Sequence, residues 1–365
     1  MISTSLRRAA VPGIAALALA LSACGAANEQ ATADGEGGGL SGTLNGGGAS
    51  SQEAAQNAWR AGFQQDNPNV TVNYDPTGSG GGREGFVSGG FAFAGSDSYL
   101  NDDDGELTAA TERCTTPPIE IPDYVSPIAV IFNVDGVDEL NLTPETIAGI
   151  FNNEITRWDD PAIAETNPDA DLPDAAITAV HRSDESGTTG NFTHYLSVVA
   201  ADAWPHGEVE EWPIKAGEGA NQTSGVVSAV GNGVNSIGYA DASQAGELGV
   251  ARVQVGDDFV APTAEAAAKI LEVSPRVEGR AESSMVFDLD YETDEAGVYP
   301  IVLTSYLMAC GTYEDAGTAE LVKGYLTYVL SDEGQATAQE NAGSAPLADS
   351  LAEEAQSHVD AISAG

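Results

Sequence analysis

The pattern of apolar and polar positions in the first third of the chain predicts strands and helices in alternation. Thr43–Asn45 predicts a short strand, and apolar side chains then recur at four-residue steps across Ala55–Phe63, which is typical of one helix face. Val70–Tyr74 alternates as a half-buried strand does, and Phe91–Ala94 predicts a third strand. This alternation favours an α/β fold, with open sheets covered by helices.

A turn of small and polar residues follows each of these three strands. The turns lie at residues 46–50, 75–82 and 95–97 and combine glycine with Ser, Thr or Asp. Ligands of open α/β sheets bind beyond the carboxyl ends of strands, so these turns are candidate ligand contacts. They do not match the Gly-x-Gly-x-x-Gly spacing of nucleotide-binding loops, and no Walker-type lysine follows them. Ser50 and Glu53 also have capping-box spacing, which predicts that Ser50 caps the first helix.

The rest of the chain continues the same alternation. Ile128–Phe132 is an apolar run that fits a crossover into a second domain, and Thr143 with Pro144 predicts a helix start. Further predictions are helices at 224–230, 263–271 and 314–330, strands at 236–239 and from 299 onward, and a helical tail from 347. At a length of 365 residues, two domains are expected.

The stretch from Val180 to Leu196 concentrates groups that suit an anion. A buried strand, Ile177–Val180, leads to Arg182. Ser186–Thr188 then open a helix whose apolar face starts at Phe192. A helix N-terminus offers unpaired N–H groups and the positive end of the helix dipole, and the glycine lets the backbone approach a ligand. The alternative is an ordinary helix cap beside a surface arginine, since Ser and Thr are common caps.

Composition narrows the classes of function. Hydrophobic residues make up 42% of the chain, which supports packed cores. Lys and Arg number 13 against 56 Asp and Glu, and the net charge of −43 excludes a nucleic-acid partner bound by phosphate neutralisation. The 4 histidines share no metal-ligand spacing, and no serine lies in a Gly-x-Ser-x-Gly elbow. No metal, cofactor or catalytic residue is therefore expected.

The N-terminus carries the features of an export signal. Arg7-Arg8 precedes the apolar run Ala9–Ala20, which is too short to span a bilayer. The run closes with Leu21–Gly25, which looks like a bacterial lipobox. Cys24 is then expected to be lipidated and to anchor the protein to the outer face of the cell membrane. The alternative is a simple signal peptide with an incidental cysteine. The predicted segments are a signal peptide at 1–23 and a flexible lipidated linker at 24–42.

The remaining cysteines bear on the domain organisation. With Cys24 lipidated, Cys114 and Cys310 are left as an even pair in an exported protein, and we expect a disulfide between them. If that bond forms, the segment after Tyr299 returns to the first domain, which predicts a hinged clamshell with a discontinuous first domain. The predicted boundaries are 43–130 plus 300–365 for domain I and 131–299 for domain II.

Four motifs occur in the same order as in one known family. Arg182–Thr188 is similar to Arg-x-Asp-x-Ser-Gly-Thr, and Tyr74–Gly81 is similar to a Tyr…Gly-Ser-x-Gly turn. Phe93–Asp97 is similar to Phe-Gly-Ala-Ser-Asp, and Ile155–Pro161 fits a longer structural signature. In these motifs the chain resembles the extracytoplasmic phosphate-binding protein of the high-affinity phosphate ABC transporter, the PstS-type family, in its lipoprotein form.

The resemblance implies both a fold and a function. The implied fold is a two-domain clamshell in which each domain is a mixed sheet flanked by helices and the ligand lies in the interdomain cleft. The implied function is that of a monomeric solute-binding protein, not an enzyme, that captures inorganic phosphate and delivers it to the permease subunits of the transporter. Asp184 is expected to orient Arg182. The implied phosphate contacts are Ser50, Ser51, Ser79, Asp97, Arg182, Ser186, Gly187 and Thr188.

The chain departs from the family's pattern in the first of the three turns. Ser50-Ser51-Gln52 stands where the family often has Thr-Phe-Pro. Ser50 keeps a hydroxyl group, and Ser51 is expected to bind phosphate through its backbone N–H. Loss of the phenylalanine side chain is expected to alter how the cleft is sealed.

Asp97 is the residue expected to separate phosphate from sulfate. Phosphate keeps at least one proton at neutral pH and sulfate keeps none, so an ionised Asp97 would accept the proton of phosphate and repel sulfate. Arg182 would supply the positive charge. From the residues alone, Asp97 could instead cap the next segment, and Ser79 could be a turn residue. The alternative functions are binding of another tetrahedral oxyanion such as sulfate, hydrolysis of phosphoesters, and phosphate sensing.

Overall fold

The computed structural model describes residues 39–103 and 105–365. The predicted signal peptide, the lipidated Cys24 and all but the end of the linker lie outside the described residues. Among the residues that are described, no helix combines the length and the apolar character needed to cross a membrane.

Strands and helices alternate through most of the described chain. The strands are β1 Gly42–Gly48, β2 Val70–Asp75, β3 Phe93–Ser96, β4 Ile119–Asn133, β5 Asn141–Leu142, β6 Thr178–Arg182, β7 Glu218–Ala220, β8 Ser236–Asp241, β9 Gly249–Val250, β10 Arg252–Val255, β11 Asp258–Val260, β12 Val302–Ala309, β13 Thr312–Tyr313 and β14 Ser363–Ala364. The helices are α1 Glu53–Asp66, α2 Ser79–Val87, α3 Glu106–Cys114, α4 Pro144–Phe151, α5 Pro161–Thr166, α6 Gly187–Val199, α7 Gln222–Asn232, α8 Ala264–Val273, α9 Ala316–Leu330, α10 Asp332–Ala342 and α11 Asp349–Asp360.

One mixed sheet runs through both halves of the molecule. Its strand order is β2-β1-β3-β12-β4-β8-β6-β7, and β9 also pairs with β4. The long strand β4 joins the halves, because residues 119–127 pair with β12 and residues 128–133 pair with β8, both antiparallel. We call the part of the sheet up to residue 127 of β4, with its helices, the first lobe, and the remainder the second lobe.

Parallel strands in each lobe bring their carboxyl ends to one edge. In the first lobe β1 pairs parallel with both β2 and β3, and in the second lobe β6 pairs parallel with β7 and β8. The segments that follow β1, β3 and β6 therefore start from edges of the sheet where ligands bind in open α/β folds. The α/β class predicted from the sequence is confirmed.

Apolar side chains fill the interior of both lobes. Trp59 and Tyr325 are fully buried in the first lobe, and Trp158 and Phe192 are fully buried in the second. Cys114 at the end of α3 is disulfide-bonded to Cys310 just after β12, across a sequence separation of 196 residues. The bond ties the returning segment to the first lobe, as the cysteine pair predicted.

The first turn differs from its prediction. Residues 46–48 belong to β1 and do not form a turn, and Gly48 has a φ of +140°. A Cβ atom on Gly48 would lie 1.9 Å from the carbonyl oxygen of Gly95, so only glycine fits there. The capping box is wrong: α1 begins after Gln52 without a side-chain cap, because the Ser50 hydroxyl accepts a hydrogen bond from the backbone N–H of Thr223 instead.

Candidate functional site

The predicted site residues come from both lobes and converge on one buried region. Ser50 and Ser51 follow β1, Ser79 is the first residue of α2, and Asp97 follows β3. The second lobe contributes the end of β6 and the first turn of α6. Each side chain in the set is 4% exposed or less: Ser50, Ser51, Ser79, Asp97, Arg182, Ser186 and Thr188.

Asp97 is surrounded by hydroxyl donors. Ser51 Oγ lies 2.8 Å from both carboxylate oxygens, and Ser305 Oγ donates to Oδ1 at 2.5 Å. Thr188 Oγ1 of the second lobe donates to Oδ2 at 3.1 Å, and the Asp97 N–H donates to Ser79 Oγ at 3.1 Å. Burial raises the pKa of Asp97, and the hydroxyls of Ser305, Ser51 and Thr188 oppose that shift. Ser51 and Ser305, the donors to Oδ1, thus come from its own lobe, while Oδ2 also accepts a hydrogen bond from the opposite lobe.

Arg182 is held in a fixed orientation by Asp184. Its Nε donates to Asp184 Oδ1 at 2.8 Å and its Nη2 donates to Oδ2, which makes a two-point contact. Burial alone raises the pKa of Asp184, but the hydrogen bonds and charge of Arg182, with the N–H of Gln222, lower it overall. Arg182 is only 2% exposed, and its backbone N–H donates to the Tyr239 hydroxyl at 3.2 Å. The guanidinium group is therefore a buried positive charge at the end of β6.

Ser186 caps the N-terminus of α6. As at any helix start, the first backbone N–H groups have no acceptor within the helix. Ser186 Oγ accepts from the Thr189 N–H at 3.2 Å, as expected of an N-cap. Gly187 lies against the first lobe, since a Cβ atom there would be 2.7 Å from Ser79 Oγ and 2.8 Å from Asp97 Cβ. The helix end can approach Asp97 this closely only because residue 187 is glycine.

Ser50 and Ser51 contact more than the sequence indicated. Ser50 Oγ lies 3.1 Å from Thr223 Oγ1 and accepts the Thr223 N–H at 3.1 Å, so it joins β1 to the start of α7 in the second lobe. The Ser51 hydroxyl contacts Asp97, whereas the sequence interpretation assigned only its backbone N–H. Gln244 Nε2 donates to the carbonyl oxygens of Ser50 and Ser51 at 3.0 and 3.2 Å.

A buried arginine links the lobes beside the site. Arg83 in α2 contacts Glu106 of its own lobe at 2.9 Å, and Glu210 and Glu185 of the second lobe at 2.6 and 3.0 Å. We call these four residues the Arg83 cluster. Burial lowers the pKa of Arg83, but the charges of Glu210 and Glu106 raise it overall. With one positive and three negative groups, the cluster depends on Arg83 for its cohesion.

Comparison with known proteins identifies the family of the chain. Residues 26–333 match the family model described as PBP superfamily domain. The phosphate-binding protein PstS 3 of Mycobacterium tuberculosis (strain ATCC 25618 / H37Rv) is 37% identical over 369 residues, which cover 97% of this chain and 98% of the relative. The chain belongs to the PstS-type family of phosphate-binding proteins. The phosphate-binding protein PstS of Methanocaldococcus jannaschii is 32% identical over 76% of this chain and 75% of its own length.

The PstS-type fold is also found among solved structures. A high affinity periplasmic phosphate-binding protein bound with phosphate (PfluDING) has a TM-score of 0.71 at 22% identity, covering 87% of this chain and 93% of that one. The phosphate-binding protein from Stenotrophomonas maltophilia has a TM-score of 0.68 at 19% identity, with the same coverage of both chains. These likenesses concern the fold, and they agree with the two-lobed clamshell predicted from the sequence.

Two residues of the candidate site were missed by the sequence interpretation. Thr223, at the start of α7, lies 3.1 Å from Ser50 and 3.5 Å from Arg182 Nη1. A hydroxyl at the start of a predicted helix was a usable signal for it. Ser305 is a buried polar residue within the apolar strand β12, and such an interruption of the pattern was the signal available there. In the described part of the chain, no group of three or more His, Cys, Asp or Glu is arranged to hold a metal ion.

Proposed function

We propose that this protein captures inorganic phosphate between its two lobes and delivers it to the permease of an ABC transporter. Because the chain belongs to a family of phosphate-binding transport receptors, it is a solute-binding protein and not an enzyme. The observation that carries the proposal is that the two lobes bring together a buried acceptor, Asp97, a buried cation, Arg182, and several buried hydroxyl groups. Such a set matches an anion that also carries a proton.

In the proposed complex, neutral donors hold most of the phosphate oxygens. Hydroxyls of Ser50, Ser51, Ser79, Ser186 and Thr188 and the N–H groups of Ser51 and Gly187 would rotate or point toward the ligand. Arg182, oriented by Asp184, would add the full positive charge. The protein's own charge of −43 repels phosphate at long range, but that repulsion is screened over about 8 Å at physiological salt. Affinity then comes from local dipoles in a closed cleft.

Asp97 would give the site its specificity. Its Oδ2 faces the second lobe and would accept the proton of phosphate as a charge-assisted hydrogen bond. Sulfate has no proton to offer at neutral pH and would leave the carboxylate facing another anion, which costs binding free energy. This favours phosphate over a sulfate-binding alternative.

The proposed binding motion is closure of the clamshell. We place domain I at residues 43–130 plus 300–365 and domain II at 131–299. Two observations support these bounds: β4 changes partner after residue 127, and β12 begins at Val302 in the first lobe. Ligand stabilises the closed state because it contacts both domains at once.

The location of the protein rests on its sequence. We propose that residues 1–23 are removed on export and that Cys24 carries the lipid that anchors a monomer to the outer face of the cell membrane. A change of Cys24 to Ala would then release the protein from the membrane fraction, and retention of the variant would contradict the anchor.

Calorimetric titration of the lipid-free protein tests the proposed function. We expect tight phosphate binding and much weaker sulfate binding, with both lost in Arg182→Ala. Arsenate, which has the same shape and can also carry a proton, serves as the positive comparison. Equal affinity for sulfate and phosphate would overturn the specificity, and turnover of a chromogenic phosphate ester that Arg182→Ala abolishes would overturn the non-enzyme assignment.

A further inference from the structure

A row of buried side chains leads from helix α9 to Asp97. Tyr325 OH donates to Gln56 Oε1 at 2.8 Å, and Gln56 Nε2 donates to Gln52 Oε1 at 2.8 Å. Gln52 Nε2 donates to Ser305 Oγ at 2.7 Å, and Ser305 Oγ donates to Asp97 Oδ1 at 2.5 Å. We call Tyr325, Gln56, Gln52 and Ser305 the Gln52 chain; all four are fully buried.

The direction of these hydrogen bonds is fixed by one backbone carbonyl. Gln52 Nε2 also lies 3.4 Å from the carbonyl oxygen of Tyr306, which can only accept, so this end of the amide must be the donor. The other end of Gln52 then accepts from Gln56, whose own oxygen accepts from Tyr325. The Ser305 hydroxyl accepts from Gln52 and gives its proton to Asp97. Every donor in the chain therefore points toward Asp97.

The two oxygens of Asp97 are treated differently as a result. Oδ1 receives the Ser305 proton inside the first lobe, while Oδ2 is approached by Thr188 from the second lobe. Hydrogen bonds in series polarise one another, so a donor delivered by such a chain stabilises the ionised carboxylate more than an isolated serine would. Burial raises the pKa of the Asp97 carboxyl, and the hydroxyls of Ser305, Ser51 and Thr188 oppose that rise, so loss of the Ser305 donor would raise the pKa further.

We propose that the Gln52 chain holds Asp97 as an ionised acceptor with Oδ2 turned to the ligand, so that Gln52 is a positioning residue for the discrimination between phosphate and sulfate. The inference rests on the proposed function, in which Asp97 accepts the proton of phosphate. Gln52 would not touch the ligand and would act through Ser305, to which its shortest hydrogen bond runs, at 2.7 Å. A proline or an apolar residue at position 52 would have no side-chain donor for Ser305. The hydrogen bond that orients the Ser305 hydroxyl toward Asp97 would then be missing.

Substitutions at Gln52 and Ser305 test the role of the Gln52 chain. The quantity to measure is the ratio of the sulfate to the phosphate dissociation constant. Gln52→Met removes the donor at similar volume, and Gln52→Glu replaces it with an acceptor that attracts the Ser305 proton away from Asp97. We expect the ratio to fall several-fold in Gln52→Met, because Ser305 loses the donor that orients its hydroxyl group. We expect it to fall about tenfold in Gln52→Glu, because Ser305 then no longer donates to the charged Asp97. Ser305→Ala removes the final donor and is expected to match Gln52→Glu, while Ser305→Thr keeps the hydroxyl and the ratio.

Two controls separate positioning from general damage. Gln335 is another buried glutamine of the first lobe whose Nε2 donates to the Val329 carbonyl at 2.9 Å, outside the Gln52 chain. Gln335→Met is expected to cost stability without changing the ratio. In a double-mutant cycle, Gln52→Met should change the ratio little once Ser305 is already alanine, because the chain ends at Ser305.

The outcomes distinguish this inference from the proposed function. If the unchanged protein binds sulfate and phosphate with equal affinity, the proposed function fails, and the Gln52 chain has no discrimination to influence. If the unchanged protein prefers phosphate, but Gln52→Glu and Ser305→Ala keep the full ratio, only the positioning role is overturned. Because Ser305→Ala makes a small change of volume, the test does not depend on the folding of Gln52→Met.

Discussion

At the scale of single residues, two buried carboxylates lie in the same network. Asp123 in β4 is 1% exposed, and its Oδ1 accepts a long hydrogen bond of 3.5 Å from Gln52 Nε2. Its Oδ2 has no hydrogen-bond partner among the described residues. Burial raises the pKa of Asp123 well above its usual value, and the negative charge of Asp97 raises it further. The burial of Asp123 beside the Asp97 carboxyl therefore costs folding stability where both groups are ionised.

Asp123→Asn is expected to stabilise the protein at neutral and alkaline pH. Since the folded-state pKa lies above the unfolded-state pKa, the folded protein holds the proton more tightly, and stability falls as the pH rises through the folded-state pKa. The amide has no proton to lose, so it removes that fall. We expect a melting temperature about 2–4 °C higher near pH 8, and little difference near pH 4. Melting curves across this range check it; equal slopes for both proteins would contradict it.

At the scale of secondary-structure elements, the first turn of α6 decides how closely the lobes meet. Gly187→Ala would place a methyl group against Ser79 Oγ and Asp97 Cβ in the described conformation. Overpacking of this kind costs about 1–3 kcal/mol, so we expect phosphate binding to weaken roughly 5- to 150-fold. Calorimetry measures the change.

The control for this prediction lies in α7. A Cβ atom on Gly225 would meet only Ala220, at 3.6 Å or more, so Gly225→Ala should leave phosphate affinity unchanged. Alanine also favours the helical backbone over glycine, so Gly225→Ala should not destabilise the helix. Equal affinity of Gly187→Ala and the unchanged protein would contradict the close approach of α6 to Asp97.

The elements differed in how well the sequence predicted them. The starts of α4 and α6 were predictable because caps and apolar faces are local features: Thr143 and Ser186 both accept the expected backbone N–H. The full length of β4 was not, since its first half contains Pro122, Asp123 and other polar positions that interrupt an apolar pattern. That half is a strand because β12 pairs with it, and such pairing is a tertiary contact.

The candidate site, like the secondary structure, was predictable where it depends on residues that are close in the sequence. Arg182 to Thr188 form one contiguous motif, so their grouping needs no knowledge of the fold. Thr223 and Ser305 reach Ser50 and Asp97 only through folding, across sequence separations of 173 and 208 residues. The contact of Ser51 with Asp97 depends in the same way on the parallel pairing of β1 with β3.

At the scale of the whole molecule, the Arg83 cluster stabilises the contact between lobes. Arg83 is 4% exposed, and its 2.6 Å contact with the largely buried Glu210 crosses from one lobe to the other. Removing one partner of a buried ion pair leaves the others uncompensated, which is strongly destabilising for the state in which they meet. We therefore expect Arg83 to favour the closed conformation over an open one.

Arg83→Met is expected to weaken phosphate binding about tenfold or more by shifting the population toward an open state. Solution scattering without phosphate should show a larger radius of gyration than in the unchanged protein, and saturating phosphate should reduce the difference. Glu210→Gln should act in the same direction from the second lobe. Arg157→Met is the matched control, since Arg157 is half exposed and contacts Asp159 at 3.0 Å. An Arg83→Met variant that keeps both affinity and dimensions would contradict the role of the cluster.

In the proposed complex, the Asp97 carboxylate recognises the proton of phosphate. Titration of Asp97→Asn with phosphate and with sulfate, beside the unchanged protein at neutral pH, tests this recognition. The amide cannot accept as a charged group and does not repel sulfate, so phosphate affinity should fall about 10- to 150-fold, while sulfate affinity stays the same or rises. If phosphate keeps its full advantage over sulfate in Asp97→Asn, recognition of the proton lies elsewhere and the role proposed for Asp97 is wrong.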